Sequence, residues 1–169
     1  MVPIGRVACP RTEAIDDDWG TIVSRLILDG ERFTAESLQG LGEFSHVDVV
    51  YVFDQVDPDS YEVGARRPRG NPEWPSVGVF AQRNKRRPNR IGVCTCKLLE
   101  VDGLELTVQG LDAIDGSPVL DLKPYMTEFA PRGPVRQPRW SRELMRGYWS
   151  RSGPPAVAGP GVPSSPAGG

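Results

Sequence analysis

The sequence predicts a mainly β domain, a barrel or sandwich carrying only short helices, and three observations predict it. Short runs rich in Val, Ile and Leu recur along the chain and are punctuated by the turn signals Asp29-Gly30, Asp102-Gly103 and Asp115-Gly116. No long helical segments alternate with these runs, which excludes a doubly wound sheet. The 169 residues suit one domain with a single core.

Val2–Val7 reads as a first strand, closed by Cys9-Pro10, and residues 11–18 are polar and loop-like. Thr21–Leu28 reads as a second strand ending at Asp29-Gly30. Thr34 is placed to cap a short helix carrying Leu38 and Leu41. Val47–Phe53 is an almost unbroken β-branched and aromatic run, the pattern of a buried strand. Residues 64–76, rich in Pro and Gly, predict an irregular loop, and Val77–Ala81 a short strand. Ile91–Leu99 and Leu104–Val108 flank Asp102-Gly103 and predict a hairpin, since glycine accepts the positive φ of a tight turn. Val119–Leu122 follows as a last strand. Trp140, Leu144, Met145, Tyr148 and Trp149 fall at helical spacing with Ser141 as a possible cap, and that stripe is expected to pack on the barrel or on a partner subunit. Residues 150–169 are mostly Pro, Gly, Ser and Ala, which predicts a disordered tail.

Composition bounds the function. Hydrophobic residues make up 38% and charged residues 25%, ordinary values for a soluble domain. No apolar run approaches the ~20 residues that a membrane helix needs, and the N-terminus has no charged lead before an apolar stretch. A cytoplasmic protein is expected. Cys9, Cys94 and Cys96 form no disulfide framework and, with His46 as the single histidine, no metal set, so small buried thiols and no metal are expected. The net charge of −2 is unevenly spread. Residues 64–90 hold eight basic residues against Glu73, and residues 132–151 hold six against Glu143. Two basic stretches on an acidic body point to a localised anion-binding face and to a nucleic-acid partner.

Common catalytic motifs are missing. Gly40-Leu41-Gly42-Glu43-Phe44-Ser45 precedes a strand instead of following one, so it is not a dinucleotide turn. There is no phosphate-binding lysine loop and no nucleophile elbow, and His46, beside a core strand, reads as structural.

The segment 78–125 is the informative one. It contains Gly78-Val79-Phe80-Ala81-Gln82-Arg83, then Arg87-Pro88-Asn89-Arg90-Ile91-Gly92. It continues through Leu111-Asp112-Ala113-Ile114-Asp115-Gly116-Ser117-Pro118 to Val119-Leu120-Asp121-Leu122-Lys123-Pro124-Tyr125. Together with Phe44-Ser45-His46, this resembles the TsaA-like (YaeB-like) family of tRNA threonylcarbamoyladenosine N6-methyltransferases, over about residues 1–131. The resemblance implies a single β-barrel methyltransferase domain, usually a homodimer, that uses S-adenosyl-L-methionine and methylates N6 of threonylcarbamoyladenosine beside the tRNA anticodon. It implies cofactor contacts at Arg83, Val93, Asp121, Leu122, Lys123 and Pro124, with Asp54 and Gln55 implicated by position. The organisation expected is a barrel over 1–131, a basic helical extension over 132–149 and a tail over 150–169.

The residue chemistry agrees. Arg83 can hold a carboxylate through paired hydrogen bonds, and Asp121 an ammonium or ribose hydroxyls. The target nitrogen belongs to a urea-like group and must lose a proton, for which Asp121 and the Tyr125 hydroxyl are the candidates. Arg86, Arg87, Asn89 and Arg90 are candidates to meet the RNA or the threonyl carboxylate. Three departures surround the site: Thr12–Trp19 replaces a Pro-Arg-Gln-Pro stretch, Asp54 a histidine, and Arg90 a proline. They leave open another RNA or a small-molecule acceptor, or a non-catalytic RNA-binding barrel.

Overall fold

Alternation builds the wall of the molecule. In the computed structural model, which describes residues 1–149, the strand β3 (His46–Val52) turns Val47, Val49 and Tyr51 inward, while the residues between them are half-buried on the outer face. The sequence predicted a buried strand over Val47–Phe53. The charged Asp48 on the outer face explains why only one face is interior. The same two-residue period runs through β2 (Val23–Leu28) and β6 (Ile91–Asp102).

With β1 (Gly5–Ala8), β7 (Glu105–Gln109) and β8 (Pro118–Pro124), these strands close a six-stranded antiparallel barrel in the order β1-β2-β7-β6-β3-β8. That resolves the choice between barrel and sandwich. The seam is narrow: β1 meets β8 only at Gly5 opposite Val119 and Arg6 opposite Pro118. Val7, Leu26, Val47, Val49, Cys96, Leu106, Val108 and Val119 fill the interior, each at most 2% exposed. Burying such side chains contributes roughly 1.5–3 kcal/mol each.

Tyr51 has a particular complement. Its register partner on β6 is Gly92, and a Cβ there would lie 2.3 Å from Tyr51 Cζ. The ring therefore occupies the volume a side chain at 92 would need. The β6–β7 hairpin turns at Gly103, φ +57°, beyond the last pair Asp102–Glu105, one residue later than the sequence suggested.

Several predicted elements change. The first strand is Gly5–Ala8, not Val2–Val7, and the second begins at Val23. Thr34 precedes a 3₁₀ turn over Ala35–Leu38 but makes no side-chain capping bond. In the basic arm a two-residue strand, β4 (Ala65–Arg66), pairs with β5 (Val77–Gly78), and the rest of the predicted Val77–Ala81 strand is a 3₁₀ turn. The C-terminal helix α1 (Arg139–Leu144) starts after Pro138, and Ser141 Oγ donates to the Pro138 carbonyl at 2.9 Å from within the helix instead of capping it. The predicted tail, 150–169, lies outside the described residues.

The segment after α1 docks on the loop before β2. The amides of Asp18, Trp19 and Gly20 donate to the carbonyls of Gly147, Tyr148 and Trp149 at the end of the 3₁₀ turn Met145–Gly147, a clasp between the first loop and the C-terminal segment. Trp19 is 4% exposed beneath the Arg11 guanidinium, whose carbon lies 4.2 Å from the ring centroid. Among the described residues no helix is long and apolar enough to cross a membrane, and no group of three or more His, Cys, Asp or Glu is placed to hold a metal.

Candidate active site

The outer wall formed by β8, β3 and β6 brings together much of what the sequence singled out. Val50 stands opposite Val93 on one side and Asp121 on the other, while Asp48 stands opposite Thr95 and Lys123. A register shift after Val50 leaves Leu120 unpaired in β8 next to Asp121, and such a bulge re-aims the neighbouring side chain. Arg83 reaches this wall from the loop above it and donates from one guanidinium nitrogen to the Val93 carbonyl. Arg83, Val93 and Asp121 thus share one place, and the remaining Arg83 donors meet no acceptor among the described residues.

Asp121 is already engaged. Its carboxylate accepts from Lys123 Nζ at 2.7 Å and from the Leu122 amide at 2.9 Å. That hydrogen bond, with the adjacent negative charge, raises the Lys123 ammonium above its ordinary range, so it stays charged. Both side chains are about half exposed or more, so the pair shapes the site and contributes little stability. Leu122 leans on the core and Pro124 pairs with Val47. Asp121 and Tyr125, the two proton-transfer candidates, are not neighbours: Tyr125 follows the end of β8, four positions beyond Asp121 and about 13 Å along the extended backbone. Tyr125 packs edge-on against His46, ring centroids 6.4 Å apart, and His46 Nδ1 lies 2.9 Å from Ser45 Oγ.

The loop carrying the expected substrate residues is held by its own arginines. Arg87 donates to the carbonyls of Gln82 at 2.6 Å and Val79 at 3.3 Å and covers Phe80. Arg90 donates to the Val56 carbonyl at 2.8 Å, and its own carbonyl accepts from Phe53, which latches the exposed turn bearing Asp54 and Gln55. The Arg90 amide closes the turn onto Arg87 at 3.0 Å, with φ +52° at Arg90. A proline cannot reach that φ and has no amide to donate, so the replacement of proline by Arg90 changes the shape of the loop itself. Arg86 and Asn89 stand exposed at the tip. Most of the basic arm is likewise spoken for: Arg66 pairs with Glu62 at 3.4 Å, Arg69 grips Asp17 at 2.8 Å, and Arg67 donates to the carbonyls of Pro72 and Trp74.

A polar cluster escaped sequence reasoning. Tyr51 Oη donates to Asp112 at 2.7 Å from inside the barrel, and Tyr148 Oη donates to the other Asp112 oxygen at 2.6 Å from the C-terminal segment. Burial, then the Asp112 charge, pushes both phenols far above their ordinary range, so both remain protonated donors; Arg83 opposes the shift at Tyr148. A hydrogen bond with Cys96, then burial, pushes the Cys94 thiol up as well, so it is an inert core thiol. The signal was present in Leu111-Asp112-Ala113-Ile114: an acid inside an apolar run needs a buried partner.

The family model described as the tRNA-methyltransferase O N-terminal domain matches residues 6–130. The chain belongs to that family. A tRNA (adenine(37)-N6)-methyltransferase of Mus musculus is 43% identical over 93 residues, 55% of this chain and 21% of that protein. An S-adenosyl-L-methionine-binding protein of Archaeoglobus fulgidus is 40% identical over 94 residues, 56% of this chain and 64% of that protein. A crystal structure of TrmO from Pseudomonas aeruginosa superposes with a TM-score of 0.63 at 29% identity, covering 80% of this chain and 59% of that one. The chain therefore spans less than two thirds of each of these relatives. The family match, 6–130, spans the six barrel strands from Arg6 of β1 onward and ends before α1.

The site of this family member fits an amino-acid-bearing nucleoside by its donor set. Arg83 supplies free guanidinium donors; Asp48 and Asp121 supply acceptors on the same wall. Next to Arg83, both amide atoms of Asn84 are shielded from solvent with no partner among the described residues, a donor and an acceptor left for a ligand.

Proposed function

We propose that this chain is the catalytic domain of a methyltransferase that uses S-adenosyl-L-methionine to methylate N6 of threonylcarbamoyladenosine beside the anticodon of tRNA. The observation that carries this reading is the convergence of Arg83, Val93 and Asp121 on the outer wall of a tRNA-methyltransferase O barrel. The names of the relatives support the cofactor and the substrate.

When bound, the cofactor supplies an electrophilic methyl group. The chain's own residues bind and orient. Arg83 holds a carboxylate while the Val93 carbonyl fixes its plane. Asp121, held by Lys123 and the Leu122 amide, presents its remaining lone pairs to hydroxyl or ammonium donors. Leu122 and Pro124 keep the strand end rigid against the core. Asp54 and Gln55 border the same loop through the Arg90 latch. Alignment of the nitrogen with the methyl group is the main contribution such a site makes. Asp121 is the residue placed to take the proton, and Tyr125, at the far end of β8, orients substrate. Arg86 and Asn89 contact the RNA directly, whereas Arg87 and Arg90 shape the loop that presents them.

On this reading the barrel acts as a homodimer in the cytoplasm. The domain limits are 1–131 for the barrel, 132–149 for the extension and 150–169 for the tail. A different acceptor is favoured by one observation, the Arg90-dependent loop shape, which a loop with proline at position 90 could not share.

Incubation of hypomodified tRNA with the protein and labelled cofactor, followed by mass spectrometry of nucleosides, tests the proposal. Methyl transfer to threonylcarbamoyladenosine and none to plain adenosine is expected. Cofactor binding without transfer to either would favour a small-molecule acceptor, and no cofactor binding would leave a non-catalytic RNA-binding barrel.

A further inference from the structure

The two basic stretches, far apart in sequence, meet in space. Trp74 Nε1, in the basic arm, donates to Glu143 Oε2 in α1 at 3.0 Å. The same carboxylate pairs with Arg139 at 2.7 Å, and these two bonds, with the charges of Arg139 and Arg146, hold Glu143 below the usual carboxylate range. Glu143 is thereby consumed in docking the helix. Around it, Arg139, Arg142 and Arg146 follow at three- and four-residue steps, so they share one face, and they rim a shallow hollow with Gln137 and Met145. All three arginines are exposed or nearly so, and the chain leading to them, 131–138, is exposed and carries Arg132 and Arg136. Arg139 is thus partnered like Arg66 and Arg69 of the arm, and Arg67, Arg87 and Arg90 are tied to backbone carbonyls, whereas Arg142 and Arg146 have no carboxylate partner among the described residues.

We infer that Arg139, Arg142 and Arg146 form a phosphate-contacting face for the backbone of the substrate RNA, outside the family domain and fixed to it through Trp74 and Glu143. This rests on the proposed tRNA substrate and adds where that substrate is held. A row of guanidiniums with its single carboxylate already neutralised suits a polyanion. Trp140, Leu144 and Met145 are turned partly inward, so the face lacks the exposed apolar side that a membrane-surface helix presents. The contact is to phosphates and positions the RNA without reading its sequence.

The test is the triple variant R139Q/R142Q/R146Q, in the full chain, titrated with unfractionated tRNA by fluorescence anisotropy between low and moderate salt. Each lost phosphate contact removes about 0.7–0.9 from the slope of log K against log salt, so a fall of roughly two to three is expected. Cofactor affinity should be unchanged, and in methyl transfer KM for tRNA should rise while kcat holds. The control R139K/R142K/R146K, which keeps the charge, should retain most of the slope. A wild-type slope in the glutamine variant overturns the inference while leaving the proposed function standing, as does an equal loss in the lysine variant, which would mean that helix packing was disturbed. Wild-type protein that binds anionic vesicles but not tRNA overturns both.

Discussion

Replacing Tyr148 by Phe deletes one oxygen and tests whether the C-terminal segment is docked by the bond to Asp112. The bond is short, 2.6 Å, and ends on a carboxylate. Hydrogen bonds to such groups contribute about 1.5–3 kcal/mol net. Asp112 keeps the Tyr51 hydroxyl at 2.7 Å, so it is not left unpaired, and the lower half of that range, about 1.5–2 kcal/mol, is expected. The loss should appear first as local opening. The amides of Trp19 and Gly20 donate into the segment at Tyr148 and Trp149, so their hydrogen exchange reports the clasp. A loss of that size accelerates exchange about ten- to thirtyfold. Amides of β3 and β6, in the barrel wall, should not respond. Tyr51→Phe, inside the barrel, should instead lower global stability in urea without changing the slope of the transition. The double variant strips Asp112 of both hydroxyl donors and should cost more than the two changes added together. Unchanged exchange at Trp19 and Gly20 in Tyr148→Phe would refute the docking argument.

Arg83→Ala should weaken cofactor binding roughly tenfold to a hundredfold by calorimetry, the loss of a charge-assisted pair of about 1.5–3 kcal/mol. Gly92→Ala sets a methyl 2.3 Å from Tyr51 Cζ, and overpacking of about 1–3 kcal/mol should lower the melting temperature by several degrees. Arg90→Pro forbids φ +52° and removes two hydrogen bonds, so the Asp54–Val56 turn should be released, visible as altered amide shifts at Val56. Because Glu143 is held below its ordinary range, its docking contribution is present above an unfolded value near ~4.3 and is lost as pH falls through the lower folded value. Fluorescence of Trp74, isolated by difference against Trp74→Phe, should change in that acid window and be flat above it.

The barrel was legible because its strands obey one rule. The β-branched and aromatic run Val47–Phe53, and glycine at Gly103, report strand and turn directly, and both survive in the structure within a residue or so, although the run did not display which face is interior. The 3₁₀ turn at Val79–Ala81 was not, since its apolar residues read equally well as strand and are bent by the Gln82 side chain, which donates to the carbonyls of Arg66 and Val77. The wall bearing Arg83, Val93 and Asp121 was legible only through family resemblance, because register between β3, β6 and β8 decides which residues share a row. The uses of Arg87 and Arg90 were not legible at all: a sequence displays a charge but not the carbonyl it will meet. The clasp of 18–20 on 147–149 joins backbone atoms, which carry no residue signature.

The position of β8 has a consequence for how the molecule is made. Without it, β1-β2-β7-β6-β3 is an open five-stranded sheet whose two edges, β1 and β3, are unpaired. Both edges find their partner in one strand, which the ribosome delivers last of the six. A nascent chain therefore carries two sticky borders until residues 118–124 have emerged, a period in which a chaperone or a neighbouring chain competes for them. The strand that ends this exposure is also the one bearing Asp121 and Lys123. A truncated translation product that lacks β8 has neither a closed barrel nor the Asp121–Lys123 pair.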